Sequence, residues 1–127
     1  MTLAGNITAG SQAGGTGQIL LQASEGVTQS GGIIDTHQLL LGGDEAIEST
    51  GDFILTNANQ INELAGILLN NPELTTATSV TLVKADYDSV CDDPLTNPLT
   101  ESFTGLDIAG NATLTINGDL SQTTAPI

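Results

Sequence analysis

An apolar template that recurs three times along the chain constrains its fold more than any other feature. Three segments of equal length align without a gap, namely residues 19–34, 53–68 and 112–127. Aliphatic residues recur at matched positions: Leu21, Leu55 and Leu114, then Val27, Ile61 and Leu120, then Ile34, Leu68 and Ile127. In a solenoid, equivalent side chains of successive repeats stack on one another, so each repeat needs the same apolar positions. We therefore predict that the first leucine of each segment lies directly over the others.

Within each segment the residues read as short strands separated by corners. Over residues 53–57, Phe, Leu and Asn alternate with Ile and Thr, which is the period of two that a strand imposes. Asn and Gly recur at the corners and tolerate the backbone angles of a tight bend. The pattern predicts an all-β fold, specifically a right-handed parallel β-helix (β-solenoid) of about four coils. The alternative is an antiparallel sandwich, for which "TINGDLSQ" supplies a candidate hairpin.

The composition fits a thin interior built from aliphatic residues. Hydrophobic residues make up 39% of the chain, yet its only aromatic residues are Phe53, Tyr87 and Phe103. A core without aromatic bulk suits stacked layers of Leu, Ile and Val. Fifteen glycines, together with many Thr and Asn, disfavour long helices. At 127 residues the chain is predicted to form one β-solenoid domain over residues 1–127.

Two segments interrupt the template and are predicted to be surface excursions. The first, residues 42–51, is acidic and rich in glycine. The second is a loop insertion at about residues 85–102, which contains Pro94, Pro98 and much of the acidic charge. Proline cannot donate to a β-ladder, so central strands are excluded at these two positions. We interpret the second segment as an acidic loop that leaves the coil and returns to it.

The charge of the chain is one-sided, with fifteen Asp and Glu against a single basic residue, Lys84. Binding to a phosphate backbone requires Lys or Arg, so we expect neither a nucleic-acid partner nor an anionic membrane surface. No stretch approaches the roughly 20 apolar residues of a membrane helix, so no membrane insertion is expected. The first ten residues lack the basic and apolar regions of a signal peptide. We expect a fragment or repeat module of a larger protein whose export signal lies elsewhere.

Several phrases of the sequence resemble a known family of bacterial repeat proteins. "GVTQSGGII", "GDFILTNANQINELAG" and "LDIAGNATLTINGDLSQTTAPI" are similar to the β-helical repeats of large exported proteins of the filamentous haemagglutinin type. The resemblance covers residues 3–68 and 104–127 and leaves 70–103 mostly unmatched. It implies a secreted adhesin or exoprotein whose shaft is a right-handed parallel β-helix. The implied location is outside the cell or on the bacterial surface.

The best candidate for a chemical site is the acidic run "DYDSVCDD", which holds Asp86, Asp88, Asp92 and Asp93 within eight residues. Hard cations take carboxylate oxygens as ligands, so a loop that presents several of them is a candidate calcium site. The run departs from an EF-hand loop, because Cys91 stands where that loop needs glycine. The alternative is a solvated acidic loop without a metal. We expect no other cofactor.

The remaining reactive side chains give no catalytic pattern. His37 is the only histidine and has no nucleophile near it in the sequence, which favours a histidine on the surface or lining the coil. Cys91 is the only cysteine and has no basic neighbour that would activate its thiol. Ice binding would need threonines at one outward place in every coil, and only Thr113 and Thr115 fit. A polysaccharide lyase would need basic groups, and the chain has no arginine, so we expect no enzyme.

These observations predict a non-enzymatic structural module of an exported bacterial adhesin-like protein, or a subunit that stacks end to end into an extracellular filament. Neither end of the sequence shows an amphipathic capping helix. We therefore expect self-association through uncapped solenoid ends, or contact with neighbouring repeats. The alternative is an adhesive binding module whose 85–102 loop contacts a protein or glycan partner on a cell surface, with calcium as a candidate requirement.

Overall fold

Parallel strands build most of this chain in a computed structural model that describes residues 1–9, 17–23, 25–42, 52–68, 71–88 and 100–122. Across these residues the chain is all-β, as predicted, and none of them forms a helix that could cross a membrane. The described strands are β1 (Thr2–Leu3), β2 (Ile7–Ala9), β3 (Gln18–Leu21), β4 (Val27–Gln29), β5 (Ile34–Gly42), β6 (Phe53–Leu68), β7 (Glu73–Thr76), β8 (Val80–Leu82), β9 (Lys84–Asp88), β10 (Thr100–Thr104), β11 (Leu106–Ile108), β12 (Thr113–Ile116) and β13 (Leu120–Gln122).

All of these strands except β9 and β10 form one sheet of parallel strands, which is curled into a half-barrel. The pairings follow three tracks, and each track takes its strands in the order of the chain. The first track is β1–β4–β6–β7–β12. The second is β2–β5–β6–β8–β13 and the third is β3–β5–β6–β11. The long strand β6 therefore passes through all three tracks.

The main core lies on the inner face of the curled sheet and is almost wholly aliphatic. Leu55 pairs with Leu74, and Leu74 pairs with Leu114, so these three residues form one column of the core. Burying one such side chain contributes roughly 1.5–3 kcal/mol. The buried members of the core are Ile19, Leu21, Val27, Ile34, Leu39, Leu41, Phe53, Leu55, Ile61, Leu64, Leu68, Leu74, Val80 and Leu82.

One part of the predicted repeat is wrong, because Leu21 does not lie in the column of Leu55 and Leu114. Leu21 pairs with Leu41 and belongs to the third track. The second matched set is also divided, since Val27 lies in the first track and Ile61 in the second. The third set is divided between the second track, which holds Ile34, and the third, which holds Leu68, while Ile127 lies outside the described residues.

A gapless alignment requires the same spacing between strands within every segment, although the segments themselves lie 34 and 59 residues apart. The observed pairs are unequally spaced, with separations of 25, 19 and 40 residues for Asp35–Gln60, Ile54–Glu73 and Glu73–Thr113.

The alternative of an antiparallel sandwich is also wrong for this sheet. "TINGDLSQ" spans the end of β12 and all of β13, and these two strands do not pair with each other. β12 pairs with β7 and β13 pairs with β8, both in parallel. The segment is therefore a corner between two tracks.

Buried amides, in place of aliphatic side chains, fill the bend between the first and second tracks. Gln29 Nε2 donates to Asn59 Oδ1 at 2.8 Å, and Asn59 Nδ2 donates to Gln29 Oε1 at 3.1 Å. Asn59 Oδ1 also accepts the backbone N–H of Ile34 at 2.8 Å. Asn59 Nδ2 donates to the carbonyls of Leu55 and Thr75 at 3.2 and 3.1 Å. Buried polar groups are tolerated when they are hydrogen-bonded in this way, so the amide pair holds the bend together.

A two-stranded antiparallel ribbon, formed by β9 and β10, lies against the outer face of the third track. Leu40 and Ala65 are fully buried on that face, although the neighbours of Leu40 in β5 belong to the main core. They pack with Val83 and with Ala85 of β9, so the ribbon itself supplies part of the cover. Burial on both faces explains why β5 carries an uninterrupted apolar run instead of an alternating one.

Glycine is required at two corners where neighbouring turns of the chain approach closely. Gly32 has a φ of 67°, and a Cβ there would lie 2.2 Å from the backbone of Gly5. Gly42 has a φ of 78°, and a Cβ there would lie 1.9 Å from the carbonyl oxygen of Ile67. Only glycine avoids both the strained angle and the clash at these positions.

Candidate functional site

The free edges of the curled sheet are the strongest candidate for a functional surface. Among the described residues, β12 pairs only with β7 and β13 pairs only with β8, so each keeps one unpaired side. At the opposite end β1 pairs only with β4 and β2 only with β5, within the same part of the chain. We name β12 and β13 the C-terminal edge, and β1 and β2 the N-terminal edge. Unpaired strand edges present N–H and C=O groups that can pair with a further strand.

The backbone N–H and C=O groups of successive β12 residues point alternately toward β7 and away from it, so only those that point away are free. The N–H of Thr113 donates to the carbonyl of Pro72 at 2.9 Å, and that of Asn117 donates to the carbonyl of Thr76 at 3.0 Å. In a parallel strand, successive residues direct their backbone groups to opposite sides. The N–H and C=O of Leu114 therefore point away from β7, toward the free side of the C-terminal edge.

In β13 the same alternation frees the backbone of Leu120. Val80 donates its N–H to the carbonyl of Asp119 at 2.9 Å, and Asp119 donates its N–H to Ser79 Oγ at 2.9 Å, so Asp119 faces β8. The N–H and C=O of Leu120 then point away from β8. Its side chain is 49% exposed, and among the described large apolar residues only Met1 is also exposed. The C-terminal edge thus offers both backbone groups and apolar surface to a partner.

The N-terminal edge is built in the same way. Ile7 donates its N–H to the carbonyl of Ile33 at 2.9 Å, which leaves the backbone groups of Thr8 directed away from β5. Thr2 has the corresponding position in β1, since the flanking carbonyls accept hydrogen bonds from β4 and the corner after it. Three apolar side chains of this edge are partly buried against the main core: Leu3, Ile7 and Ala9.

Several corner side chains accept hydrogen bonds from residues later in the chain, whereas Asn59 and Thr78 accept from the earlier residues Ile34 and Ile61. Asp52 Oδ1 accepts the N–H of Asn71 at 3.2 Å, and Asn71 Oδ1 accepts the N–H of Asn111 at 2.8 Å. Ser79 Oγ accepts the N–H of Asp119 in the same sense, with the acceptor earlier in the chain than the donor. Asn111 and Asp119 hold the last described positions of these rows. Both are exposed, and their side-chain oxygens accept no hydrogen bond from the described residues.

Both edges carry very little of the charge of the chain. Of its fifteen acidic residues, none falls within residues 1–9 and only Asp119 falls within 113–122. Two copies that each carry a formal net charge of −14 repel each other. The two edges are therefore the parts of the surface where this repulsion opposes contact least.

The acidic run that predicts a calcium site is only partly placed. Asp86 and Asp88 lie on β9, which pairs antiparallel with β10. Asp92 and Asp93 lie outside the described residues. The predicted 85–102 loop thus begins and ends in strands of the ribbon. No three His, Cys, Asp or Glu side chains converge in the described part of the chain as metal ligands would, and the calcium site stays a prediction.

His37 contacts a carboxylate that the repeat alignment did not bring to it. His37 Nε2 lies 2.6 Å from Glu63 Oε1, and Asn62 Nδ2 lies 3.4 Å from His37 Nδ1. The contact follows from the register of β5 on β6, in which Gln38 pairs with Glu63. An alignment with an offset of 25 residues would have found it, because "HQLLLG" then lies over "NELAGI". The pair links two neighbouring strands on a partly exposed surface.

Comparison with known proteins adds no relative to this description. The chain matches no family model, no curated protein and no solved structure.

Proposed function

We propose that the chain is a non-enzymatic structural module, a right-handed parallel β-helix of about four coils that belongs to the shaft of an exported bacterial adhesin-like protein or stacks end to end with further copies into an extracellular filament. One observation carries the proposal, namely that all three tracks take their strands in chain order around an aliphatic core. A chain that circles in this way lays each winding on the previous one, and the contacts are made between neighbouring windings. Such a body grows along one axis, as a shaft must.

The resemblance to filamentous haemagglutinin-type repeats supports a location outside the cell or on the bacterial surface. The polar bend supports the same architecture, since Gln29 and Asn59 come from successive windings and satisfy each other. Stacked polar residues at a bend keep windings in register where stacked leucines alone would allow slippage. A shaft also needs no catalytic group, and its partners are neighbouring windings.

An added winding tests the proposal. Ile54 pairs with Glu73, which lies 19 residues later, so a second copy of residues 54–72 inserted after residue 72 adds one winding in register. We expect the enlarged protein to unfold cooperatively at an undiminished denaturant midpoint. Its m-value should rise by about 15%, in proportion to the added buried surface. Urea unfolding followed by circular dichroism measures both quantities.

The matched control inserts the same 19 residues in scrambled order at the same position. The scrambled insert lacks the inward positions that Leu55 and Leu64 supply, so it should lower the midpoint or abolish folding. If the ordered duplicate loses as much structure as the scrambled one, then the windings are not interchangeable units. The β-helix proposal fails in that case, and the shaft role fails with it.

A second candidate function is adhesion through the 85–102 segment, with calcium as a cofactor. The observation that favours it is the β9–β10 ribbon, which holds both ends of this acidic segment against the stack. A rigid base with a protruding tip is a common way to present a binding loop. The candidate partner is a protein or glycan on a cell surface.

Replacing residues 89–99 with a short glycine-containing turn, while keeping both strands of the ribbon, tests adhesion. An adhesive module loses cell binding on this change, whereas a structural module keeps its stability and its assembly. A calcium site would show as a rise in thermal midpoint at millimolar calcium that disappears in the variant. Changing Asp92 and Asp93 together to Asn is the matched control, because it removes charge and keeps the length of the loop.

A further inference from the structure

We infer that two copies of this chain associate head to tail, with the N-terminal edge of one copy seated on the C-terminal edge of the other as its next winding. The inference rests on the proposed function and names both the partner and the direction of assembly. It is built from three features of the edges: their backbone groups, their apolar columns and their corner side chains.

The backbone groups of the two edges match in direction. Leu114 and Leu120 direct their free N–H and C=O groups out of the C-terminal edge, and Thr2 and Thr8 do the same at the N-terminal edge. Seating β1 on β12 and β2 on β13 continues the first and second tracks as parallel pairs. Two identical edges placed together by a two-fold axis would pair antiparallel, a mode that the main sheet does not use among its described strands.

The inward-facing column of the first track, which is aliphatic except at Gln29, is open at both ends. It runs from Leu3 through Gln29, Leu55 and Leu74 to Leu114. The two terminal leucines are both only partly buried against the main core. Seating one edge on the other places the first leucine of the second copy over the last leucine of the first, so each covers the other.

Two of the corners that precede strands of the second track supply a side-chain acceptor. Asn6 Oδ1 accepts the N–H of Ile33 at 2.9 Å, and Ser79 Oγ accepts the N–H of Asp119 at 2.9 Å. These four residues each stand directly before a strand of this track. Asp119 is the last of them in the described chain, and its carboxylate is exposed. In the head-to-tail arrangement it receives the N–H of Asn6 from the second copy.

The charge distribution sets how this contact depends on salt. The edges hold one acidic residue, Asp119, between them, while each whole copy carries a formal net charge of −14. Repulsion between the bodies therefore opposes a contact that is itself almost uncharged, and salt screens that repulsion. Association should strengthen as salt rises. Because head-to-tail contacts leave one free edge at each end, assembly continues into a filament instead of closing as a dimer.

Two edge-blocking variants test the direction. Leu120→Pro removes a free N–H from the C-terminal edge, and Thr8→Pro removes one from the N-terminal edge, while the bonds to β8 and β5 are kept. Sedimentation velocity over a concentration series at raised salt measures the species formed. We expect wild type to form a ladder of oligomers and each variant alone to be monomeric. An equimolar mixture of the two variants should form a single heterodimer, because one free edge of each kind remains.

Three outcomes overturn the inference: wild type that stays monomeric at every concentration and salt, either variant alone forming dimers, or a mixture that does not associate. Leu120→Lys repeats the test at the C-terminal edge with the backbone N–H kept, and unchanged thermal midpoints show that the variants are folded. The enlarged protein with duplicated residues 54–72 keeps the two proposals apart. If it folds while wild type never associates, the shaft proposal stands and the head-to-tail inference falls.

Discussion

Leu40 and Leu120 both stand on strands of the same parallel sheet, yet Leu40 is fully buried and Leu120 is 49% exposed. Leu40 lies in the third track, which has the main core on one face and the β9–β10 ribbon on the other. Leu120 lies on the C-terminal edge and has a single described strand partner, β8. The burial of a leucine in this molecule therefore depends mainly on the strands and faces that pack around it. Lying in a strand of the parallel sheet is not enough to bury it. Matched substitutions in the buried part of the sheet and at the C-terminal edge should therefore differ in their effect on the free energy of unfolding.

The largest contrast is expected between Leu64→Ala and Leu120→Ala. Leu64 of β6 is 0% exposed within the main core, so its truncation leaves a cavity and should cost about 2–5 kcal/mol. The same change at Leu120 should alter the free energy of unfolding by less than about 0.5 kcal/mol at low protein concentration. Urea unfolding measures both. Equal costs would mean that the C-terminal edge is packed in solution and the contrast is not a property of the monomer.

Removal of the whole ribbon, residues 84–104, should expose the outer face of the third track. The new junction is short, because Gly105 donates its N–H to the carbonyl of Val83 at 2.9 Å. Re-exposure of Leu40 alone should cost roughly 1.5–3 kcal/mol, and the variant should bind a dye that recognises apolar surface. The control replaces residues 89–99 with the short glycine-containing turn, because Asp88 and Thr100 face each other across the ribbon and cannot be joined directly, and it should do neither. If both variants behave alike, the ribbon is not the cover of Leu40.

At the polar bend, Asn59→Ala should destabilise the protein by about 1–3 kcal/mol, because Gln29 and the N–H of Ile34 lose their buried partner. Asn111→Ala is the matched change at the C-terminal edge, where the side chain is exposed, and should cost almost nothing in the monomer. Denaturant unfolding of the two variants side by side gives the difference. A small loss at Asn59 would show that water replaces the amide and that the bend is open.

The smallest effect is expected at the His37–Glu63 pair, whose side chains are 29% and 26% exposed. Partly exposed ion pairs contribute about 0–1 kcal/mol. A double-mutant cycle with His37→Ala and Glu63→Gln should give a coupling energy in that range that shrinks as salt rises. A coupling energy above this range, or one that salt does not change, would mean that the pair is less accessible to solvent than its exposure indicates.

Most strands of the parallel sheet could be predicted from the sequence and their partners only in part, whereas β9 and β10 lie largely within the segment predicted to be a loop. Leu55 and Leu114 do share a column, because each lies at the same step of an alternating strand at the same corner. A gapless alignment places Leu21 in the wrong track, because insertions at corners change the spacing from one strand to the next. The Glu63 partner of His37 was missed for the same reason.

A cover over the third track could have been predicted from "HQLLLGG". A strand with one solvent-exposed face alternates apolar and polar residues, and this segment does not. Nothing local in "KADYD" or "TESFT" indicates that these segments pair with each other across the intervening prolines. Such a pairing depends on where the stack places the two ends of the excursion. The free edges are likewise properties of the whole sheet, and no single segment carries a signal for them.

The unequal separations between paired residues have a consequence for how this protein can change over time. Ile54 and Glu73 are 19 residues apart and Glu73 and Thr113 are 40 apart, yet each pair sits on adjacent strands, about 4.7–4.9 Å from one another. The distance across the sheet therefore depends on the number of paired strands, and residues inserted at a corner do not change it. Insertions, deletions and substitutions at the corners can therefore accumulate while the spacing of the paired strands stays constant.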